Sequence, residues 1–243
     1  GTALHDDGRL EEAAARYRRA LDIAPDYVPA VNNLGVPLRA LGRTDDAIDA
    51  LYAHMAEWPR DALMIATAAN PNGVIGGSGR VGQKQRIAAL LDSLATHYGD
   101  DYWFLSYHAI ALSEDGRLAA ARPKIERSVT LNPKNAHAAH GVAHVCYESG
   151  DATAGRDFLS SWLATYPRDG GLHGHLSWHL ALFELGAGNW TAAQQLYRDA
   201  ITFDRHSGGP AQKMTDGAAF LWRSELAGHP RDVFNAITLG GAK

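Results

Sequence analysis

Two stretches of this chain place imidazoles at helical spacing. The first reads N-A-H-A-A-H-G-V-A-H-V-C-Y-E-S-G (135–150) and the second H-G-H-L-S-W-H-L-A-L-F-E (173–184). His137, His140 and His144 fall at i, i+3 and i+7, with Glu148 one turn further, so all four share a helical face. His175 and His179 fall at i, i+4, with His173 just upstream and Trp178 between them. Such rows serve two chemistries. Paired histidines on helices ligate zinc or iron. Alternatively, several neutral imidazoles in one dry pocket oppose each other's protonation, and their spread pKa values suit a base and an acid near neutral pH.

The spacing favours the metal-free chemistry. There is no H-E-x-x-H, and four histidines form a neutral set that leaves a divalent charge uncompensated. Cys146, the single cysteine, is two residues past His144 and about 200° around the helix from it, so it reads as packing rather than as a ligand. The expected catalytic set is therefore His140, His144, His175 and His179, with Asp216 reaching back to fix a tautomer. The same four histidines are the runner-up ligands for a divalent metal, and no other cofactor is implied. The bland reading is a hydrogen-bonded polar network that fills a groove. His5, His54, His97 and His229 read as satisfied surface or semi-buried residues, and His108 as a core histidine donating to a backbone carbonyl. There is no G-x-S-x-G, and Ser160-Ser161 reads as structural.

The elements that must carry these rows announce themselves by punctuation. Glycine recurs at Gly8, Gly42, Gly82, Gly116, Gly150 and Gly188, and three of the five intervals are 34 residues. Pro25, Pro59, Pro133 and Pro167 each follow a glycine by 17 residues. A 34-residue period is that of the tetratricopeptide helix–turn–helix, with glycine ending one helix in the left-handed region and proline following the next. The fifth residue after each glycine reads Ala13, Ala47, Ile87, Ala121, Gly155 and Ala193, small in five of six cases as a close helix crossing requires.

Repeat two is then Val28–Asp61, repeat four Tyr102–Asn135, repeat five Ala136–Asp169, and repeat six begins at Gly174. Repeat three is interrupted by Asn70-Pro71-Asn72-Gly73 and Gly76-Gly77-Ser78-Gly79, which cannot hold a helix and read as a flexible loop rather than a phosphate cradle. Four residues, Gly170-Gly171-Leu172-His173, are added before repeat six. Pro210 opens a last helix that stops near Gly228 and caps the array, with Thr238–Lys243 frayed. The expected fold is an all-α right-handed solenoid of about six helix pairs plus that cap, one domain over 1–243. Its parts are regular repeats (1–61), an interrupted repeat (62–101), histidine-rich repeats (102–207) and a cap with tail (208–243).

In such repeats the second, fifth, ninth, twelfth and thirteenth residues look into the concave groove. They are His137, His140, His144, Tyr147 and Glu148 in repeat five, His175 and Trp178 in repeat six, and include Trp103, Ser106 and Glu114 in repeat four.

Composition bounds the partners. Lys plus Arg (23) nearly balances Asp plus Glu (27), so no electrostatic footprint for nucleic acid or an anionic membrane exists. With 46% hydrophobic residues the chain can bury a continuous core without disulfides. No stretch is apolar and long enough to span a bilayer. A single cysteine and no visible signal peptide place the expected location in the cytoplasm, though the start looks trimmed.

The strings W-P-R-D-A-L (58–63), A-H-G-V-A-H-V (139–145), H-L-S-W-H-L-A-L-F (175–183) and D-G-A-A-F-L-W-R (216–223) resemble the tetratricopeptide repeat protein 38 family over roughly 58–228. That resemblance implies His140, His144, His175, Trp178, His179, Asp216, Trp222 and Arg223 as characteristic positions. Where the family often has a glutamate three residues after its second histidine, this chain has Tyr147, with Glu148 beside it. The family supplies a location for a site and no activity. The expected function is a binding module taking a peptide or small molecule in a His/Trp-lined groove, with ligand contacts from His137, Trp103, Tyr147, Glu148, Trp178, Trp222 and Arg223. The alternative is an enzyme using the histidines on a small polar substrate.

Overall fold

The structure, a computed structural model, describes residues 2–24, 27–70 and 73–229. Pro25, Pro71, Asn72 and the tail with Thr238–Lys243 lie outside the described residues. Among the described residues the chain is helical throughout, and no helix is long and apolar enough to cross a membrane. The contacts divide it into two compact units, 1–117 and 118–243, where the sequence suggests one uninterrupted array. The division falls between the two helices of repeat four, and each unit has a core of its own.

The first unit holds α1 (Thr2–Asp6), α2 (Leu10–Ile23), α3 (Val28–Ala40), α4 (Thr44–Glu57), α5 (Ala62–Ala69), α6 (Gln83–Tyr98) and α7 (Tyr102–Glu114). Its core runs through Leu34, Leu51, Met64, Leu91 and Phe104. The interrupted stretch of repeat three ends α5 after eight residues and forms one 3-10 turn, Gly76–Ser78. Its neighbour Ile75 is fully buried, which anchors the loop in the core. Two histidines here are structural. His54 is buried with Nε2 2.7 Å from an Asp61 oxygen, and that carboxylate also accepts from the Met64 amide to cap α5. His108 pairs with Asp92 of α6 at 2.8 Å, not with a backbone carbonyl as its core position suggests. A carboxylate one helix away outcompetes the helix's own carbonyls, which are already engaged.

The second unit holds α8 (Leu118–Leu131), α9 (Ala136–Glu148), α10 (Ala152–Leu163), α11 (His173–Gly186), α12 (Trp190–Leu196, continued by a π-helical turn Tyr197–Ile201) and α13 (Pro210–Leu226). Successive helices pack against one another, α9 also lies against α11, and α13 packs on α11. Local chemistry sets the ends. Asn135 caps α9 by accepting the His137 amide at 3.0 Å. Gly150 follows α9 at φ 73°, and the Asp151 amide closes back on the Cys146 carbonyl at 2.9 Å, the six-to-one bond of a Schellman end. All six periodic glycines have positive φ.

The small-residue rule has its sharpest case at Gly155 of α10. A Cβ there would stand 2.5 Å from Phe183 Cζ of α11 and 2.9 Å from Cys146 Cβ of α9. Hydrogen is the only side chain that lets three helices meet at this point. Cys146 is thereby buried in the core of α9 and α10, turned away from the histidine row.

The fold class is all-α, of the tetratricopeptide-repeat α-solenoid type.

Candidate functional site

The face of α9 that carries His137, His140 and His144 meets the face of α11 that carries His175 and His179. The rings converge: His140 lies 4.5 Å from His144, 4.8 Å from His175 and 5.1 Å from His179 between centroids. His144 and His179 are 4.9 Å apart. At the centre are three Nε2 atoms, with that of His140 2.9 Å from His144 and 3.0 Å from His175. Ring nitrogens of His140, His144 and His179 all fall within 4.8 Å of one another. His137 stacks on His140 at 6.0 Å, on the edge of the cluster.

Asp216 closes the back of the site from α13. Its Oδ2 accepts Nδ1–H of His175 at 2.7 Å and Nε2–H of His206 at 2.9 Å, and it is 5% exposed. The tautomers follow. His206 accepts the Gly208 amide at Nδ1, so its proton sits on Nε2. His175 gives its proton to the carboxylate from Nδ1, so its Nε2 presents a lone pair to His140. Burial raises the Asp216 carboxyl, but the hydrogen bonds from His175 and His206 outweigh it and hold it below the usual carboxylate range.

Burial also disfavours the charged form at three of these rings. It holds His140 and His179 well below the ordinary imidazole range, with the neighbouring imidazoles adding to the effect. His137 is taken down to about 4 by burial and then by His144. His179 Nε2 is buried and has no hydrogen-bond partner.

The wall beside the cluster is aromatic and cationic. Trp178 stacks on His175 at 5.4 Å, and the Arg223 guanidinium lies 5.8 Å from the ring centres of both Trp178 and Trp222. Trp222 is exposed, and among the described residues no carboxylate pairs with Arg223. Trp178 lies against the imidazoles of His175 and His179, and Trp222 lies beside Arg223.

Three of the expected contacts have surroundings of their own. Tyr147 is about half exposed and turns toward Phe183, 6.2 Å away. Glu148 is exposed and carries no ion pair among the described residues, one turn beyond His144 at the end of α9. Trp103 belongs to the first unit, where it packs against Tyr107 at 4.8 Å and Tyr98 at 6.2 Å, an ordinary aromatic core contact. In the same unit Ser106 donates to the Trp103 carbonyl and Glu114 pairs with Lys84.

His206 was not singled out by the sequence. It sits in the connection between α12 and α13, where no helical period applies, and it is fully enclosed against the N-terminus of α11. A Cβ on Gly174 would stand 2.6 Å from its ring. The signal available was a histidine just ahead of Gly208-Gly209-Pro210 and ten residues before Asp216.

Comparison with known proteins agrees with the fold. Residues 1–36 match a family described as TPR repeat, and residues 108–170 one described as tetratricopeptide repeat. A tetratricopeptide repeat protein from Parabacteroides merdae superposes with a TM-score of 0.61 at 15% identity, over 97% of this chain and 93% of that one. PilW, a type IV pilus biogenesis factor, gives 0.52 at 17% identity over 81% and 87%. At these identities the likeness is one of fold.

Proposed function

We propose that the chain is a helical-repeat binding module whose second unit takes a carboxylate-bearing ligand, a peptide or small molecule, beside the histidine cluster. The observation that carries this reading is Arg223: a half-buried guanidinium held over Trp178 and Trp222 with no carboxylate partner among the described residues. A cation kept in place by aromatic faces and left without an anion is a recognition group. Neutral imidazoles on one side and the exposed Trp222 on the other supply polar and stacking contacts. The motif resemblance to the tetratricopeptide repeat protein 38 family points to the same positions, and partner or peptide binding is the usual work of such repeats.

The test is a panel of peptides with free C-terminal carboxylates against the same peptides amidated, titrated into the full chain and followed by tryptophan fluorescence. Binding should require the carboxylate. Arg223→Gln should weaken it about ten- to a hundredfold, the value of a hydrogen bond to a charged group. Equal binding of the amidated peptides, or an unchanged Arg223→Gln variant, rejects the reading.

A second reading rests on Asp216 and His175. A buried carboxylate on Nδ1 with a lone pair on Nε2, here turned to His140, is a pairing that general bases use, and it supports an enzyme acting on a small polar substrate.

A further inference from the structure

The centre of the cluster has more nitrogens in contact than its protons can join. His175 Nε2 is a lone pair, because its proton is on Nδ1 toward Asp216. His140 Nε2 lies 3.0 Å from that lone pair and 2.9 Å from His144 Nε2. One ring nitrogen holds one proton in its plane. If His140 donates to His175, its contact with His144 has no linear hydrogen bond left. If His144 donates to His140 instead, two lone pairs face each other across 3.0 Å. His179 Nε2 adds a fourth buried nitrogen with no partner. A buried network is satisfied or it is costly, and no single proton on His140 Nε2 joins both of its contacts and also gives His179 Nε2 a partner.

A cation does. We propose that His140, His144, His179 and His175 bind one divalent transition ion of the zinc class through their ring nitrogens, with Asp216 as the carboxylate behind His175. Zinc–nitrogen bonds of about 2.0–2.1 Å in a tetrahedral shell put the nitrogens about 3.3 Å apart. The nitrogens of His140, His144 and His179, all within 4.8 Å of one another, reach that spacing by small side-chain rotations. The objection to a neutral ligand set is met by Asp216, whose buried carboxylate supplies negative charge through the His175 ring and fixes its orientation, as outer carboxylates do for histidine-ligated zinc. His206 holds the same oxygen from the other side.

This goes beyond the ligand-binding reading and does not need it: the metal is tested with no ligand present, and Arg223→Gln leaves the donor set intact. Full-length, tag-free protein is cleared with EDTA, dialysed and titrated with Zn2+, and in parallel with Co2+ as a spectroscopic probe. One ion per chain is expected, with visible Co2+ absorption bands of a nitrogen-rich site and a rise in melting temperature on stoichiometric Zn2+. His144→Ala and His179→Ala should each lower affinity at least a hundredfold, and Asp216→Asn ten- to a hundredfold. His97→Ala, outside the cluster, should change nothing. Wild-type protein with no stoichiometric Zn2+ and no melting shift overturns the proposal even if a variant fails to fold. So does Zn2+ binding that survives unchanged in the folded His144→Ala/His179→Ala pair.

Discussion

Gly155 and Phe183 are shaped to each other: the edge of the Phe183 ring occupies the place a side chain at 155 would need, 2.5 Å from an ideal Cβ. The contact joins α10 to α11, the helix that carries His175 and His179. Gly155→Ala therefore forces the ring or the helix to move, although alanine is the better helix former. Urea denaturation should show a loss of about 1–3 kcal/mol, the usual cost of overpacking. Shrinking the ring with Phe183→Leu in the same chain should return part of it, and an additive double variant would mean the two do not touch.

Acid should weaken the metal-free protein through its neutral histidines. His137, His140 and His179 ionise in the unfolded chain near 6.5, whereas burial lowers them in the fold, His137 to about 4. Between those pH values the unfolded state holds more protons, so stability falls as pH falls, and above about 6.5 these groups contribute no slope. Arg223 adds to the shift at His179, His144 and His175 add to the shift at His140, and Asp216 is engaged by His175 and His206. Denaturation midpoints in EDTA across pH 4–8 check this, and a midpoint flat from about 6.5 down to about 5 would contradict it.

Removing His206 should cost more than removing an exposed histidine such as His97. His206→Ala leaves a void against Gly174 and deprives the buried Asp216 oxygen of one donor. A loss of about 2–4 kcal/mol is expected from the cavity and the weakened hydrogen bonding together, against under about 0.5 for His97→Ala.

In the first unit, Asp61 carries two duties at once. Asp61→Ala removes the cap of α5 and leaves the buried His54 ring without its acceptor. A drop of about 1–3 kcal/mol in thermal or urea denaturation is expected. Asp61→Asn, which keeps an acceptor oxygen for the Met64 amide, should lose less.

Much of this site was legible because its residues obey a helical period. His140 and His144, or His175 and His179, share a face by spacing alone, and the glycine–proline rhythm brings the two helices side by side. Asp216 was legible as a capping-helix carboxylate that reaches back to a histidine, and it accepts from His175. His206 was not, because a residue between helices has no period to betray its direction. The repeat position of Trp103 says which way the residue faces and nothing about its aromatic neighbours Tyr98 and Tyr107. The partner of His108 was missed for the same reason: Asp92 is remote in sequence and sits on another helix. The division between α7 and α8 leaves no mark in the repeat pattern, since the glycine at 116 and the small residue at 121 continue the rhythm across it.

Chain order gives the site a history at the ribosome. The imidazoles of α9 and α11 are made first, and the carboxylate that orients His175 follows 41 residues later. At ordinary rates of synthesis that gap is about 2–8 s, long against the time a helix needs to form. Until α13 is made there is a stage in which His175 lacks its Asp216 acceptor. Arrival of α13 ends that stage, so a later-made helix sets the orientation of earlier-made chemistry.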